Sequence, residues 1–185
     1  MTHYIARLHA AVFGTIQHAL QDWFPGLLAR LTFAAVLFFY FINSAKTKVG
    51  EGLAGFFQVQ DNAYFQILPT VVEHYGYDAS QVPAIPYQLI VYAGTYSEFI
   101  LPLLVVFGLF TRIAAFGMIV FVTVQSYVDI TAHGADDSTI GALFDRIPDS
   151  TILDQRMLWV FVFAYLVVYG AGKLSLDHLL ARARQ

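Results

Sequence analysis

The sequence predicts an all-α membrane protein. We expect a bundle of four transmembrane helices, with an amphipathic N-terminal helix at the membrane interface and a long, partly helical loop between spans one and two. Hydrophobic residues make up 58% of the 185 residues and charged residues only 12%, whereas a soluble domain carries about 25% charged residues. A water-soluble protein of this length has no means of burying so much apolar surface, and a bilayer removes the need.

Four apolar stretches approach the length that crosses about 30 Å of hydrocarbon as a helix, which takes roughly 17–25 residues. They lie at residues 24–45, 87–110, 113–130 and 157–172. Only the tight turn at residues 108–112 separates the second stretch from the third, so these two spans are expected to form an antiparallel hairpin. We interpret residues 1–185 as one membrane domain, with the bundle, its loops and its tail at residues 24–180.

The segment before the first span, residues 1–23, is amphipathic. Apolar residues recur there at every third or fourth position, namely at Ile5, Leu8, Val12, Ile16, Leu20 and Trp23. This spacing is typical of a helix lying in the membrane interface, although a helix packed on the end of the bundle would show it too. The loop at residues 46–86 is apolar enough to predict one or two short helices resting on the mouth of the bundle.

The composition also excludes several classes of function. The chain has no cysteine, so it forms no disulfide and offers no thiolate to a metal or an iron–sulfur cluster. Its net charge of -3 provides no basic field for nucleic acid. None of the six histidines falls within a predicted span, so a membrane haem with two axial histidines has no ligands here.

The distribution of positive charge predicts the orientation. With the N-terminus in the cytoplasm, Lys and Arg at six positions lie inside and at four positions outside, and cytoplasmic segments are the ones that concentrate these residues. The acidic loop at residues 131–155 would then lie outside. We therefore expect both termini to be cytoplasmic.

Glu98, near the middle of the second span, is the most informative residue. A carboxylate at that depth costs about 2.5–3.5 kcal/mol on insertion scales, so it is expected to face the interior of the bundle, either protonated or paired. It could serve as a proton relay, a ligand contact or a metal ligand, or it could be a polar clamp between helices. Pro102, four residues later, removes the hydrogen bond to the Glu98 carbonyl and would allow a kink there.

The third span carries a polar stripe at four-residue spacing, formed by Gln125, Asp129 and His133. In a helix these side chains share one face and lead toward the outer surface. Asp129 and His133 could share a proton or hold a metal together, although one carboxylate with one histidine is a weak metal signature. The alternative is a carboxylate at the helix end beside a solvated histidine.

Cations surround the outer half of the bundle. Lys46 and Lys48 follow the first span, and Arg156 begins the fourth. Together with Glu98 and the polar stripe, Lys46 and Arg156 would form an outward-facing polar pocket, since buried charges need partners. Lys48 is interpreted as a headgroup anchor, a role that Lys46 could also have.

Two pairs of tyrosines lie at four-residue spacing: Tyr92 with Tyr96 in the second span, and Tyr165 with Tyr169 in the fourth. Such pairs could line a site for a flat ring such as a quinone. They could equally be ordinary packing.

Several motifs together resemble the DoxX family of small four-helix bacterial inner-membrane proteins. Arg30 opens span one, and the Gly-Leu-Phe-Thr-Arg turn at residues 108–112 follows Glu98. Span four ends in Gly-Ala-Gly-Lys-Leu-Ser-Leu-Asp at residues 170–177. The resemblance covers residues 27–180, and the ending is similar to that of members encoded with modified copper-binding peptides.

The resemblance implies an inner-membrane location and a place beside membrane redox, detoxification or metal-peptide maturation partners. It marks five positions without assigning them an activity: Arg30, Lys46, Glu98, Arg112 and Asp177. Arg112 and Asp177 are also predicted to form an ion pair that ties the hairpin to the C-terminal tail, where Ser175 could cap a short helix.

Three functions remain open on the sequence. The leading hypothesis is an accessory subunit that supports a quinone-linked redox or copper-related system through the pocket around Glu98. The second is a transporter or exporter of a small molecule, metal ion or peptide, acting as a homodimer or larger oligomer. The third is an oxidoreductase, which would need a bound quinone or metal ion.

Overall fold

The computed structural model describes residues 2–184, and within them the protein is built from helices. The helices are α1 (Thr2–Leu20), α2 (Phe24–Val36), α3 (Phe38–Lys46), α4 (Gly52–Gly55), α5 (Asp61–Ile67), α6 (Pro69–His74), α7 (Leu89–Phe107), α8 (Thr111–Thr131), α9 (Asp137–Ile140), α10 (Arg156–Tyr169) and α11 (Leu176–Arg182). Helical turns at Ala84–Gln88 and Thr151–Gln155 lead into α7 and α10. Among the described residues, β pairing is limited to one bridge between Val49 and Val59, so the predicted all-helical fold is confirmed.

Three helical segments are long and apolar enough to cross a bilayer: Ala84–Phe107, Thr111–Thr131 and Thr151–Tyr169. They correspond to the predicted spans two, three and four, the last displaced toward the N-terminus. The first predicted span is not one helix, because α2 and α3 are bent by 45° at Leu37. The described residues therefore contain three candidate spans, or four if the bent pair crosses together, and the prediction of a continuous helix over residues 24–45 is wrong.

At the bend, the first predicted span changes the helix against which it packs. Before it, α2 packs mainly on α10; after it, α3 packs on α7. The main hydrophobic core lies between these helices and α8, and its largest buried side chains include Phe33, Phe41, Met118 and Phe163. Rings of Phe33 and Phe163 meet edge to face with centroids 5.4 Å apart, a favourable aromatic geometry.

The turn between α7 and α8 depends on Gly108. Its φ of +67° is a left-handed conformation that glycine adopts without steric cost, and a Cβ there would overlap the Arg30 guanidinium. The amide of Leu109 donates to the carbonyl of Leu104 at 2.9 Å, which closes the end of α7. The short turn then returns the chain directly into α8, and the two helices pack together.

The loop between α3 and α7 forms a cap over one end of the bundle. It contains three short α-helices, α4, α5 and α6, and a 3₁₀ turn at Ala79–Gln81, where one or two short helices were predicted. Tyr64, Val72 and Val82 of this loop pack with Val91 of α7 in a second hydrophobic cluster. This cluster fixes α5 beside the N-terminal half of α7, which is where the candidate site lies.

The N-terminal helix α1 takes part in none of the main helix–helix interfaces. Its side chains from His3 to Ala19 are all exposed, including the apolar residues Leu8, Val12 and Ile16. The apolar face of α1 is therefore not covered by the described part of the bundle.

Close packing at the opposite end of the bundle can be tested at Gly26. An added Cβ at Gly26 would lie 2.6 Å from the carbonyl carbon of Ala171. Gly26→Ala is therefore expected to push α2 away from the C-terminal segment and to lower the free energy of unfolding by about 1–3 kcal/mol, measured as a lower Tm in detergent. At Gly14 an added Cβ meets nothing within 4 Å, so Gly14→Ala is the control and should keep the wild-type Tm or exceed it slightly. A wild-type Tm for Gly26→Ala would contradict this packing.

Candidate functional site

Glu98 forms a buried ion pair with Lys48. The Lys48 ammonium lies 2.6 Å from Oε2 of Glu98, and the two side chains are only 3% and 5% exposed. Ser44 completes the group: its hydroxyl accepts from Lys48 at 2.9 Å and donates to Oε1 of Glu98 at 3.3 Å. The carboxylate in the middle of span two is thus paired and hydrogen-bonded, as a buried charge must be.

The lysine of this site is not the one that we predicted. Lys46 is exposed, whereas Lys48 is buried, so the assignment of Lys46 to the pocket and of Lys48 to the headgroups is wrong. The spacing of the apolar residues in the first span could have identified Lys48 as the buried lysine. Positions 33, 37, 41, 45 and 48 are buried and follow the three- and four-residue spacing of one helix face.

The backbone around Lys48 is held by the loop that follows it. Its carbonyl accepts from the amide of Gln60 at 2.9 Å, beside the Val49–Val59 bridge. Gly50 donates to the carbonyl of Gly55 at 2.9 Å, and a Cβ on Gly55 would come 2.5 Å from the Gly50 backbone. Two glycines in contact therefore close this loop and fix the direction from which Lys48 approaches Glu98.

The ion pair forms the floor of a cleft of about 650 Å³ between α7 and α8. We call Ser44, Lys48 and Glu98 the polar floor. Gln66, Gln125, Asp129 and His133 line the cleft near the C-terminal end of α8, and the remaining lining residues are mainly small or apolar. The cleft thus brings together four residues that the sequence singled out: Glu98, Gln125, Asp129 and His133.

The polar lining residues near the C-terminal end of α8 each have a partner. Gln125 donates to the hydroxyl of Tyr40 at 2.8 Å. The Nε2 of His133 lies 3.1 Å from the carbonyl of Gln66, which joins the end of α8 to α5. Asp129 pairs with Arg156, outside the cleft lining.

Arg156 clamps α10 to α8. Its Nη2 lies 2.6 Å from Oδ2 of Asp129, and its Nη1 donates to the hydroxyl of Ser126 at 3.0 Å. Arg156 is buried while Asp129 is about one third exposed, at 29%. Arg156 therefore supports the wall of the cleft from behind and is absent from its lining.

A metal centre finds little support in this geometry. Asp129 is engaged by Arg156, and His133 by the Gln66 carbonyl. Within residues 2–184, no three His, Cys, Asp or Glu side chains are grouped so as to hold a metal ion. The weak candidates Asp129 and His133 thus lack the further ligands that a protein metal site uses.

Arg30 and Asp177 belong to a second polar cluster, at the other end of the bundle. The buried Arg30 guanidinium donates to the carbonyls of Val106, at 3.3 Å, and Leu174. The carboxylate of Asp177 accepts from the amides of Phe110 and Thr111 at 2.7 and 2.9 Å. It thereby satisfies amides left free at the start of α8, where a negative charge is stabilised.

The predicted ion pair between Arg112 and Asp177 is wrong. Arg112 is exposed and lies beside Gly170, and the salt bridges among the described residues do not include it. The tie between tail and bundle is made by Asp177 on the backbone and by an exposed Lys173–Asp22 pair at 2.6 Å. The hydrogen bond from Lys173 and its charge lower the pKa of the Asp22 carboxyl.

The remaining residues that the sequence indicated lie outside the cleft lining. Helix α7 continues through the buried Pro102, and the bent span is the first one. Tyr96 donates to the carbonyl of Phe56 at 3.0 Å, while Tyr165 and Tyr169 stack on each other. Of the four paired tyrosines, all within the described residues, none lines the cleft.

Fold and site together define a small integral membrane protein, a helical bundle in which a buried ion pair faces a largely apolar cleft. The DoxX family model matches residues 26–133, more than half of the chain, and the chain belongs to the DoxX family. The match runs from α2 to the end of α8 and includes every cleft residue named above. No curated protein and no solved structure shows a significant match.

The ion pair predicts different outcomes for two neighbouring lysines. Lys48→Met would leave the Glu98 carboxylate buried without a partner, so we expect a loss of about 3–5 kcal/mol in the free energy of unfolding, measured in detergent. Lys46→Met, at an exposed position, should match the wild type. The double variant Lys48→Met/Glu98→Leu should recover much of the loss, because it removes both charges. Equal stabilities of the two single variants would contradict the assignment of Lys48.

Proposed function

We propose that the protein is an accessory subunit that supports a quinone-linked redox system in the bacterial inner membrane, and that it acts through the cleft around Glu98. The observation that carries this proposal is the placement of a buried, hydrogen-bonded Lys48–Glu98 pair on the floor of an apolar cleft. Clefts of roughly 300–1,000 Å³, mostly apolar with a few polar groups, are typical of small-molecule sites.

A helix clamp alone would explain the ion pair less well. Replacing a buried pair by well-packed apolar residues is often neutral or stabilising, so stability gives little reason for charges at this depth. Ionisable groups inside a membrane bundle usually mark a functional pathway. Here both charged residues line the cleft, where a ligand would meet them.

The cleft itself does not support a direct role in copper binding. Copper prefers thiolate, thioether or imidazole ligands, and the cleft offers a single histidine whose ring nitrogen already meets a carbonyl. If the chain serves a copper-peptide system, we therefore place the metal on a partner and a lipid-soluble ligand in the cleft.

Replacing Glu98 tests the proposal in a strain that depends on this protein. Glu98→Gln removes the carboxylate of the floor and leaves Lys48 without its counter-ion, so growth under oxidant or copper stress should fall toward that of a strain lacking the protein. Glu73→Gln changes an exposed loop carboxylate and is the matched control. Should Glu98→Gln reduce the amount of protein, the charge-free double variant Lys48→Met/Glu98→Leu replaces it. Normal growth at normal protein level would reject the proposed role.

The partner and the oligomeric state are part of the same proposal. Purification in mild detergent followed by mass spectrometry should recover a membrane redox or metal-peptide maturation protein together with this chain. Native mass measurement distinguishes a homodimer from a mixed complex. Uptake or efflux by the purified protein in liposomes, without such a partner, would instead support a transporter.

The topology completes the proposal. We propose four crossings, with the bent pair α2 and α3 as one span, both termini in the cytoplasm and α1 in the interface with its exposed apolar face in the lipid. A reporter fused after Gln185 is then expected to be active only when it is a cytoplasmic reporter, and one inserted at Gly134, between α8 and α9, only when it is a periplasmic reporter. Activity of a periplasmic reporter at Gln185 would show that the proposed orientation is reversed. Reporter activity on the same side of the membrane at Gly134 and at Gln185 would show that α10 does not cross the membrane once between them.

A further inference from the structure

Four apolar residues of the cleft lining remain substantially exposed. One wall carries Ile90 of α7, and the other carries Phe116, Val120 and Val124 of α8; although they line the cleft, these residues are 43–60% exposed. Both helices are candidate spans, so the surface they expose faces hydrocarbon. We call the gap between these four side chains the lateral opening.

Small residues make room for this opening. Ala93, Gly94 and Ser97 on α7 line the cleft, as does Gly117 on α8. An added Cβ on Gly117 would lie 3.0 Å from the side chain of Leu101, and one on Gly94 would lie 3.1 Å from Ile67. At these glycines the side chains of Leu101 and Ile67, which also line the cleft, pack close against the helix backbone.

The charges of the floor cancel. Lys48 and Glu98 form one positive and one negative group 2.6 Å apart, and the nearby Asp129 is neutralised by Arg156. A phosphate or carboxylate head would gain little from Lys48 while meeting the charge of Glu98. The floor thus favours an uncharged polar head over an anionic lipid.

The hydrogen-bonding capacity left in the cleft is that of an acceptor. The Lys48 ammonium already donates to Glu98, to the Ser44 hydroxyl and to the Ser44 carbonyl, which uses its three donors. The Glu98 carboxylate accepts only from Lys48 and Ser44 among the described residues, although a carboxylate has about four acceptor positions. Oε1 of Gln125, another residue of the lining, is buried without a hydrogen-bond partner in the described part of the chain.

We infer that the cleft binds a hydroxyl-bearing, uncharged amphiphile that reaches it from the bilayer through the lateral opening, and that this ligand is of the prenylated hydroquinone class. Its head would donate hydrogen bonds to Glu98 and Gln125, and its tail would lie along the apolar walls of the opening. The identity of the head rests on the proposed quinone-linked function, whereas the lateral route rests on the exposure of the walls. The reduced form is favoured because the oxidised ring has no hydroxyl to donate.

Photolabelling of the full chain in lipid nanodiscs tests both parts. The probe is a ubiquinol analogue with a diazirine in its tail, used in its reduced and in its oxidised form. The reduced probe is expected to label residues of α7 and α8 beside the lateral opening, as mapped by peptide mass spectrometry. The oxidised probe should label about tenfold less, since two hydrogen bonds of about 0.5–1.5 kcal/mol each are lost.

Tryptophan substitutions provide the matched variants. Val120→Trp fills the lateral opening and should remove most of the labelling, with Val124→Trp as a second variant should the first fail to fold. Val168→Trp, on the exposed face of α10 away from the cleft, should label like the wild type. Wild-type labelling of both folded cleft variants would overturn the lateral route, and equal labelling by the two probe forms would overturn the hydroquinone head.

The test separates this inference from the proposed function. Labelling of the cleft together with normal growth of the Glu98→Gln strain would reject the redox role and leave the binding site standing. Loss of growth in that strain, with no labelling beside α7 and α8, would reject the binding site and leave the redox role.

Discussion

The ion pair between Lys48 and Glu98 is the interaction that organises the half of the bundle covered by the loop between α3 and α7. A carboxylate in the middle of a span needs a partner inside the protein, and Lys48 reaches Glu98 because the end of α3 lies against α7. The 45° bend between α2 and α3 achieves this by moving the chain from α10 to α7. The paired glycines of the following loop, Gly50 and Gly55, then hold the lysine in place.

The other buried or paired charges serve a different purpose. Arg156 with Asp129 joins α10 to α8, and Arg30 and Asp177 tie the hairpin between α7 and α8 to span one and to the tail. These contacts fix helices that have little hydrophobic reason to stay together in lipid. Neither cluster touches Glu98, so the bundle is clamped at both ends while the middle of the α7–α8 interface is left to small residues and the cleft.

Much of this could be predicted from the sequence, because hydropathy and one charge at mid-span are strong signals. The helical content, three of the spans, the hairpin at Gly108 and the informative position of Glu98 all follow from them. The bend at Leu37 could not be predicted, since neither proline nor glycine marks it. The family resemblance marks Lys46, whereas the period of the buried face, continued from Phe41 and Ala45, points to Lys48.

The failed pairing of Arg112 with Asp177 has a physical reason of the same kind. The first turn of α8 presents two free amides in fixed positions, and a carboxylate that accepts both forms two charge-assisted hydrogen bonds without ordering a second long side chain. An exposed arginine offers less, because it must lose rotamer entropy for a pair worth about 0–1 kcal/mol. Matching charged side chains in the sequence therefore indicates Arg112 as the partner of Asp177, which is wrong. The true partners are backbone amides, and the residue types in a sequence do not reveal which amides are free.

A cleft open to lipid faces a problem of selectivity that the Lys48–Glu98 pair addresses. Phospholipids vastly outnumber any other amphiphile in the bilayer, so a site reached from the side must reject them as well as attract its own ligand. Lysine alone at this depth would attract phosphate heads, and a lone glutamate would tend to be neutralised by protonation. The two together keep a carboxylate available as an acceptor while presenting no net charge, which favours a neutral hydroxyl over the anionic heads that surround it.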